Sequence, residues 1–153
     1  MKKILLPVLA GMVVLFLFAV TGCSKSNSQA KKDRKLIDEY VASHNLKGQF
    51  TGSGLYYVIE DSGSAKHPTL SSQLNVDYKG YFLDDQIFDQ GQGVSLPLSG
   101  VIAGWQEGLP LIGEGGKIKL LIPSALAYGD RQAGTIPPNT VLGFDVTLNS
   151  VSK

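Results

Sequence analysis

Alternation of apolar and polar residues is the main pattern in the second half of the chain, and it predicts β-strands. The clearest case is the segment 142–149, where every second residue from Leu142 to Leu148 is apolar and the residues between them are small or polar. One face of this strand is expected to be buried and the other wet, as in an antiparallel sheet. We predict one antiparallel sheet of about five strands, formed by residues 55–60, 74–83, 94–98, 117–122 and 142–149, with a turn at Asp84-Asp85 from which residues 87–89 return.

Residues 101–110 have the pattern of a short buried helix. Val101, Trp105 and Leu109 are spaced by four and share one face. Ser99 is a candidate cap for the first turn. A helix of about two turns is not stable alone, so we expect it to pack on the sheet. The side chain of Trp105 would then either fill the core or form the floor of a pocket.

A second, short amphipathic helix is predicted for residues 33–47, ahead of the sheet. Apolar side chains recur there at helical spacing on one face, at Leu36, Ile37, Tyr40 and Val41. Residues 23–32 are mostly small and polar, which is typical of a flexible tether.

Two segments are predicted to lie outside the strands. Gln90–Gly93 is expected to be a flexible connection, and residues 124–139 form a long loop that ends in two prolines and an asparagine. A loop of that length inside a compact domain is usually functional. Residues 52–153 have the size of one ordinary domain.

The N-terminal segment 1–22 is typical of an export signal, because two lysines precede an almost wholly apolar run from Ile4 to Val20. That run is also long enough to span a bilayer. Val20-Thr21-Gly22-Cys23 resembles the lipobox of bacterial lipoproteins. The resemblance implies that Cys23 is lipidated and becomes the first residue of a chain held in the bacterial cell envelope. The alternative is that Cys23 is a buried thiol.

The residue after Cys23 bears on which membrane holds the chain. An aspartate directly after the lipidated cysteine resembles an inner-membrane retention signal. Position 24 is a serine instead, so an organism with two membranes is expected to hold the chain in the outer one. Several acyl chains together anchor a protein stably where a single one does not.

Composition narrows the possible functions. A single cysteine excludes an intrachain disulfide. Removal of residues 1–22 takes away two of the 14 basic residues and none of the 13 acidic ones, which leaves a formal charge of −1 and no electrostatic case for nucleic acid. His44 and His67 have no ligand partners at metal-binding spacing, so both are expected at the surface and no metal site is expected.

Aromatic residues at strand ends and in loops are the candidate site. The sequence has no paired carboxylates, phosphate loop or activated nucleophile. If the sheet wraps around the short helix, its aromatics could line one apolar pocket beside the carboxylate of Asp89. The alternative is scattered core aromatics and a turn residue at position 89. The aromatic residues in question are Tyr78, Phe82, Phe88, Trp105, Tyr128 and Phe144.

Four segments in order make the chain similar to FKBP-type peptidyl-prolyl cis–trans isomerases from about Gly54 to the end. The segments are VDYKGYFLDDQIFDQ, VIAGWQEGLPLI, GGKIKLLIPSALAYG and TIPPNTVLGFDVTL. With its N-terminal helix and lipobox, the chain resembles the bacterial envelope members, such as the macrophage infectivity potentiators, but lacks their long dimerising helix. The resemblance implies an α+β fold in which a five-stranded antiparallel half-barrel surrounds the short helix.

The resemblance also implies the site and makes Trp105 its floor. The implied catalytic residues are Tyr78, Phe88, Asp89, Trp105, Tyr128 and Phe144. The implied substrate-binding positions are Val101, Ile102, Ile136 and Val94. Val94 stands where the family often has an aromatic, and no arginine follows Asp89 as it does in the cytosolic macrolide receptors.

The implied activity is peptidyl-prolyl isomerisation in exported proteins, by desolvation and twisting of the prolyl amide without a cofactor. The implied partners are proline-containing polypeptides and macrolide inhibitors, and the sequence does not indicate an oligomeric state. One alternative is a membrane-anchored chaperone or proline-peptide-binding module with little turnover. Another is an interaction lipoprotein that uses the fold as a scaffold.

Overall fold

The computed structural model describes residues 22–153, so the predicted signal peptide lies outside the described residues except for Gly22. Residues 22–153 form two α-helices and six strands, with 3₁₀ turns at Leu98–Gly100, Leu109–Leu111 and Ser124–Leu126. The helices are α1 (Gly22–Ser43) and α2 (Ala103–Gly108). The strands are β1 (Gln49–Phe50), β2 (Tyr56–Asp61), β3 (Gln73–Tyr81), β4 (Ile87–Pro97), β5 (Lys117–Ile122) and β6 (Leu142–Ser152).

The six strands form one antiparallel sheet in the order β1-β2-β5-β6-β3-β4. Alternate side chains of β3, β5 and β6 point to a core face, where Val76, Leu120 and Leu148 are fully buried. The α+β architecture predicted from the sequence is therefore confirmed. The predicted count of five strands misses the two-residue β1, which pairs with the start of β2.

Helix α2 lies on the core face and packs against β5. A methyl group added at Gly104 would lie 2.5 Å from Ile122 Cγ2, and one at Gly108 would lie 2.6 Å from Leu120 Cδ2. These two glycines let the helix approach the strand closely. The approach buries Trp105 to 4% exposure in the core cluster.

Helix α1 packs on the opposite, outer face of the sheet. Its Ile37 and Tyr40 join a second buried cluster with Tyr81 and Leu121 from the strands. The phenol of Tyr40 also donates a hydrogen bond of 2.8 Å to Asp85 Oδ1 in the turn between β3 and β4. Within residues 22–153, no helix has the length and hydropathy needed to cross a membrane.

The prediction of a flexible tether at 23–32 is wrong, because α1 is continuous from Gly22 to Ser43. The helix predicted at 33–47 is confirmed over residues 33–43 and gives way to a turn at His44 and Asn45. Residues 23–32 carry no apolar stripe, but they include good helix formers and no proline or glycine. Asp33 also fixes the helix from its middle, since its carboxylate accepts hydrogen bonds from Ser124 and Gln29.

Three smaller predictions also fail. Gln90–Gly93 is part of β4 and not a flexible connection, because it continues the pairing with β3. Ser99 does not cap α2, whose cap position is Ile102. The outer face of β6 is not uniformly wet, since Gly143 is buried beneath the ring of Tyr81.

We predict that Gly104→Ala lowers the free energy of unfolding by about 1–3 kcal/mol, because the β-branched, fully buried Ile122 has no room to move. Denaturant unfolding of the full chain measures this change. Gly52→Ala is the matched control, since nothing lies within 4 Å of a methyl group added there. Equal stability of the two variants would contradict the close packing of α2 on β5.

Candidate functional site

A cavity of about 420 Å³ opens between α2, the β3–β4 pair and the loop after β5. Its walls are mostly apolar, and ten residues from five parts of the chain contribute to it. The lining residues are Tyr78, Phe88, Asp89, Leu96, Gly100, Val101, Ile102, Trp105, Tyr128 and Phe144.

The indole of Trp105 is the buried floor of this cavity. Tyr78 and Phe144 meet it nearly edge-on, with ring centroids 5.5 and 5.4 Å away and interplanar angles of 80° and 87°. Edge-to-face contacts of this kind are favourable and fix the orientation of the rings. Among the buried side-chain polar atoms of the described residues, Trp105 Nε1 has no hydrogen-bond partner.

A β-bulge brings two consecutive residues of β4 to the same cavity. Gly80 pairs with Asp89 and Tyr81 pairs with Ile87, which leaves Phe88 as the extra residue. Neighbours in a regular strand point to opposite faces, whereas a bulge redirects a side chain. Phe88 and Asp89 therefore both line the cavity.

Gly80 makes room for the aromatic wall beside the bulge. A methyl group at this position would lie 2.7 Å from Phe88 Cζ and 2.8 Å from Phe144 Cε1. Without one, the two rings meet edge-to-face with centroids 5.6 Å apart. The identity of residue 80 thus determines whether the wall can close.

Tyr78 and Asp89 form the polar part of the wall. Tyr78 Oη donates a hydrogen bond of 2.8 Å to Asp89 Oδ2. Burial, followed by this hydrogen bond to the exposed carboxylate, raises the pKa of Tyr78 to about 12. The phenol therefore stays neutral and remains a donor at neutral pH.

The segment before α2 and the loop after β5 complete the rim. Gln106 Nε2 donates hydrogen bonds to the carbonyl oxygens of Val101 (2.8 Å) and Ser99 (3.3 Å), which holds the segment leading into the helix. Tyr128 stands on the loop and is 40% exposed. Its hydroxyl-bearing ring is thus open to both the cavity and solvent.

The structure brings eight of the ten predicted site residues to one cavity. Ile136 is instead buried in the core cluster, and Val94 packs against that cluster without lining the cavity. Leu96 and Gly100 take part in the lining and were not predicted. Alternation gives Val94 and Leu96 the same face, so the sequence pattern does not indicate which of them lines the cavity.

The sequence also gave no indication of the roles of Gly80 and Gln106. The alternation of apolar residues along β3 puts Gly80 on the core face, but the need for a glycine there depends on two rings from other strands, Phe88 and Phe144. The side chain of Gln106 donates hydrogen bonds to the carbonyl groups of Ser99 and Val101, which come within reach only when α2 forms.

This arrangement can bind a compact apolar ring on the indole and can present polar groups to the atoms next to that ring. Its polar groups are the Tyr78–Asp89 pair, the Tyr128 hydroxyl and the backbone around Ile102. Among the described residues there is no cluster of three or more His, Cys, Asp or Glu side chains that could hold a metal ion. The fold and the site together define a class of protein in which an antiparallel sheet packs against one short helix, with an aromatic pocket between the sheet and the helix.

Family comparison identifies this class. The model of the FKBP-type peptidyl-prolyl cis–trans isomerase domain matches residues 64–149, which is more than half of the chain. The FKBP-type peptidyl-prolyl cis–trans isomerase FkpA of Aeromonas hydrophila is 38% identical over 136 residues, covering 85% of this chain and 51% of that protein. FkpA of Escherichia coli K12 is 39% identical over 139 residues, covering 83% of this chain and 52% of that protein.

Solved structures agree with the sequence comparison. The crystal structure of FkpA from Escherichia coli matches with a TM-score of 0.71 at 38% identity, over 85% of this chain and 66% of that one. A peptidyl-prolyl cis–trans isomerase from Pseudomonas syringae matches with a TM-score of 0.73 at 31% identity, over 84% and 96%. The chain belongs to the FKBP-type peptidyl-prolyl cis–trans isomerase family, and it spans about half the length of the curated relatives described above.

The phenol of Tyr78 provides a test of the site's electrostatics. The difference in tyrosinate absorbance between the wild type and Tyr78→Phe is expected to titrate near pH 12, against about 10 for a tyrosine in water. Because the folded-state pKa is raised, the stability due to neutral Tyr78 is complete below pH about 10 and is lost as the pH rises towards the folded value.

Asp89→Asn is expected to lower this midpoint but to leave it above about 10, because burial is the larger cause of the shift. Asp84→Asn removes an exposed carboxylate from the turn of the same hairpin and serves as the control, with no change expected. A midpoint that does not move in Asp89→Asn would contradict the Tyr78–Asp89 hydrogen bond.

Proposed function

We propose that this chain is an active peptidyl-prolyl cis–trans isomerase that accelerates X-Pro isomerisation in exported proteins. The observation that carries the proposal is the convergence of Tyr78, Phe88, Trp105 and Phe144 on one cavity of about 420 Å³. Membership of the family supports the same activity. The substrates would be proline-containing polypeptides, and macrolides would compete for the same cavity.

The reaction suits an apolar pocket because it breaks no covalent bond. Its barrier of about 18–20 kcal/mol is the loss of amide resonance as the C–N bond twists. The planar amide is the more charge-separated state, so transfer from water to an apolar site raises its free energy relative to the twisted amide. The proline ring would lie on the indole of Trp105, with the amide beside it.

Polar groups at the rim would then select the twisted state. The Tyr128 hydroxyl and the Asp89 carboxylate both line the cavity and could bind the rotated carbonyl or its neighbouring amide. Interactions that are stronger in the transition state than in the ground state lower the barrier. No proton transfer is required, so this mechanism needs no general acid, general base or cofactor.

A proline-isomerisation assay of the full chain, purified in mild detergent, tests the proposal. We expect a rate above background that a macrolide suppresses. Binding of a proline peptide without any acceleration would favour the alternative of a chaperone or proline-peptide-binding module.

Asp89→Leu is expected to lower kcat/KM by roughly tenfold, since a lost hydrogen bond to a charged group is worth about 1.5 kcal/mol. The fold should be little affected, because the Asp89 side chain is exposed. Glu39→Leu, an exposed acid on α1 across the sheet, is the matched control and should keep the wild-type rate. Unfolding of Asp89→Leu would instead assign Asp89 a structural role.

The proposed location is the bacterial cell envelope, with Cys23 lipidated and holding the domain at a membrane. The lipobox-like residues 20–23 after an apolar run support this proposal. Intact-mass measurement of the protein from a bacterial membrane fraction should give residues 23–153 plus acyl groups, whereas Cys23→Ser should retain the unprocessed chain. A wild-type mass without any acyl increment would exclude the anchor.

A further inference from the structure

Helix α1 contains a buried carboxylate that the proposed mechanism does not use. Asp33 is 1% exposed and is the only buried charged side chain among residues 27–153. Its Oδ2 atom accepts hydrogen bonds from Ser124 N (2.9 Å) and Ser124 Oγ (2.6 Å). Its Oδ1 atom accepts a third from Gln29 Nε2 (2.7 Å). Burial of a carboxylate is costly without such partners, so Asp33 and Ser124 are held together.

Ser124 in turn determines the path of the backbone around Tyr128. The carbonyl oxygen of Ser124 accepts hydrogen bonds from the backbone N–H groups of Ala127 (3.0 Å) and Gly129 (2.8 Å), the two residues that flank Tyr128. Gly129 has a left-handed backbone with φ of 63°, and its carbonyl accepts a hydrogen bond from Asn139 N at 2.6 Å. The loop therefore has one tightly bonded end, and that end is joined to α1.

We propose that Asp33 is a positioning residue for Tyr128. Through Ser124, the carboxylate fixes the peptide units on both sides of Tyr128 and thereby the place of the phenol at the cavity rim. Asp33 lies outside the part of the chain that the family model matches, residues 64–149. Helix α1, which precedes the isomerase domain, thus contributes to the shape of the pocket. The expected effect on rate rests on the proposed function, whereas the effect on the loop does not.

The rate test is a double-mutant cycle in the full chain. Asp33→Ala should lower kcat/KM about fivefold, in the range found for residues that act through others. In a Tyr128→Phe background, Asp33→Ala should lower kcat/KM by less than about twofold, because the hydroxyl that Asp33 positions is already absent. Asp33→Asn keeps an acceptor oxygen and should restore most of the rate.

Ile37→Val is the control for general loosening of α1. Ile37 is fully buried on the same helix but belongs to the cluster on the outer face of the sheet. The Ile37→Val substitution should lower thermal stability and leave kcat/KM within about twofold of the wild-type value. If Asp33→Ala does not fold, Ser124→Ala removes only the Oγ donor and should show the same pattern with a smaller effect.

Amide resonances of Tyr128 and Gly129 give a reading that is independent of activity. Both should shift in Asp33→Ala and stay in place in Ile37→Val. The proposal is overturned if these resonances do not move in Asp33→Ala, or if the cost in rate is the same with and without the Tyr128 hydroxyl. An inactive wild-type chain would reject the proposed function, and the resonances alone would then decide whether Asp33 positions the loop.

Discussion

The close contact between α2 and β5 is the constraint on which the cavity depends. Gly104 and Gly108 lie one turn apart on the helix, and each faces a buried branched side chain of β5 at a distance that excludes a methyl group. Because the helix can approach the sheet this closely, α2 remains packed on β5 and the indole of Trp105 is buried at the bottom of the cavity. Larger residues would force the helix away from the sheet and disturb the contacts of the indole with Tyr78 and Phe144.

The walls depend on a different feature, the irregular pairing of β3 with β4. A regular strand would direct Phe88 and Asp89 to opposite faces, and the cavity would lose either an aromatic ring or its carboxylate. The bulge at Phe88 gives it both, and Gly80 on the facing strand leaves the space that the redirected ring occupies. The floor and the wall therefore depend on the same kind of contact. In each, a glycine on one element leaves space for a large side chain from another element.

The parts of the fold that could be predicted are those in which one residue's environment follows from its neighbours in sequence. The strand at 142–149 alternates because one of its faces is apolar, and the predicted strands 117–122 and 142–149 match β5 and the start of β6. The resemblance of four segments to one family gave eight residues that line the cavity.

The parts that could not be predicted depend on contacts between distant segments. Residues 23–32 have no apolar stripe, and their helix is secured by a hydrogen bond between positions 91 residues apart, Asp33 and Ser124. The glycines and glutamines of Gln90–Gly93 have the composition of a loop, yet pairing with β3 makes them a strand. Alternation puts Val94 and Leu96 on the same face of β4, and only the three-dimensional arrangement shows that Leu96 lines the cavity and Val94 does not.

The distribution of polarity in the cavity bears on how such a site could act on an amide. Asp89 is exposed and Tyr128 is 40% exposed, so the groups that bind strongly to polar atoms stand at the mouth, beside solvent. The floor below them consists of aromatic rings. A planar amide that moves inward exchanges water for rings and loses stabilisation of its separated charge, whereas the twisted amide loses less and can still reach the rim. Helix α1, attached to the loop of Tyr128 through Asp33 and Ser124, would keep that rim at a fixed height above the floor. A reaction with a rotational barrier would be favoured by a pocket of constant shape. Gly104 and Gly108, which let α2 pack closely on β5, and the buried Asp33 carboxylate would together hold the shape of this pocket and let it discriminate between the planar and the twisted amide.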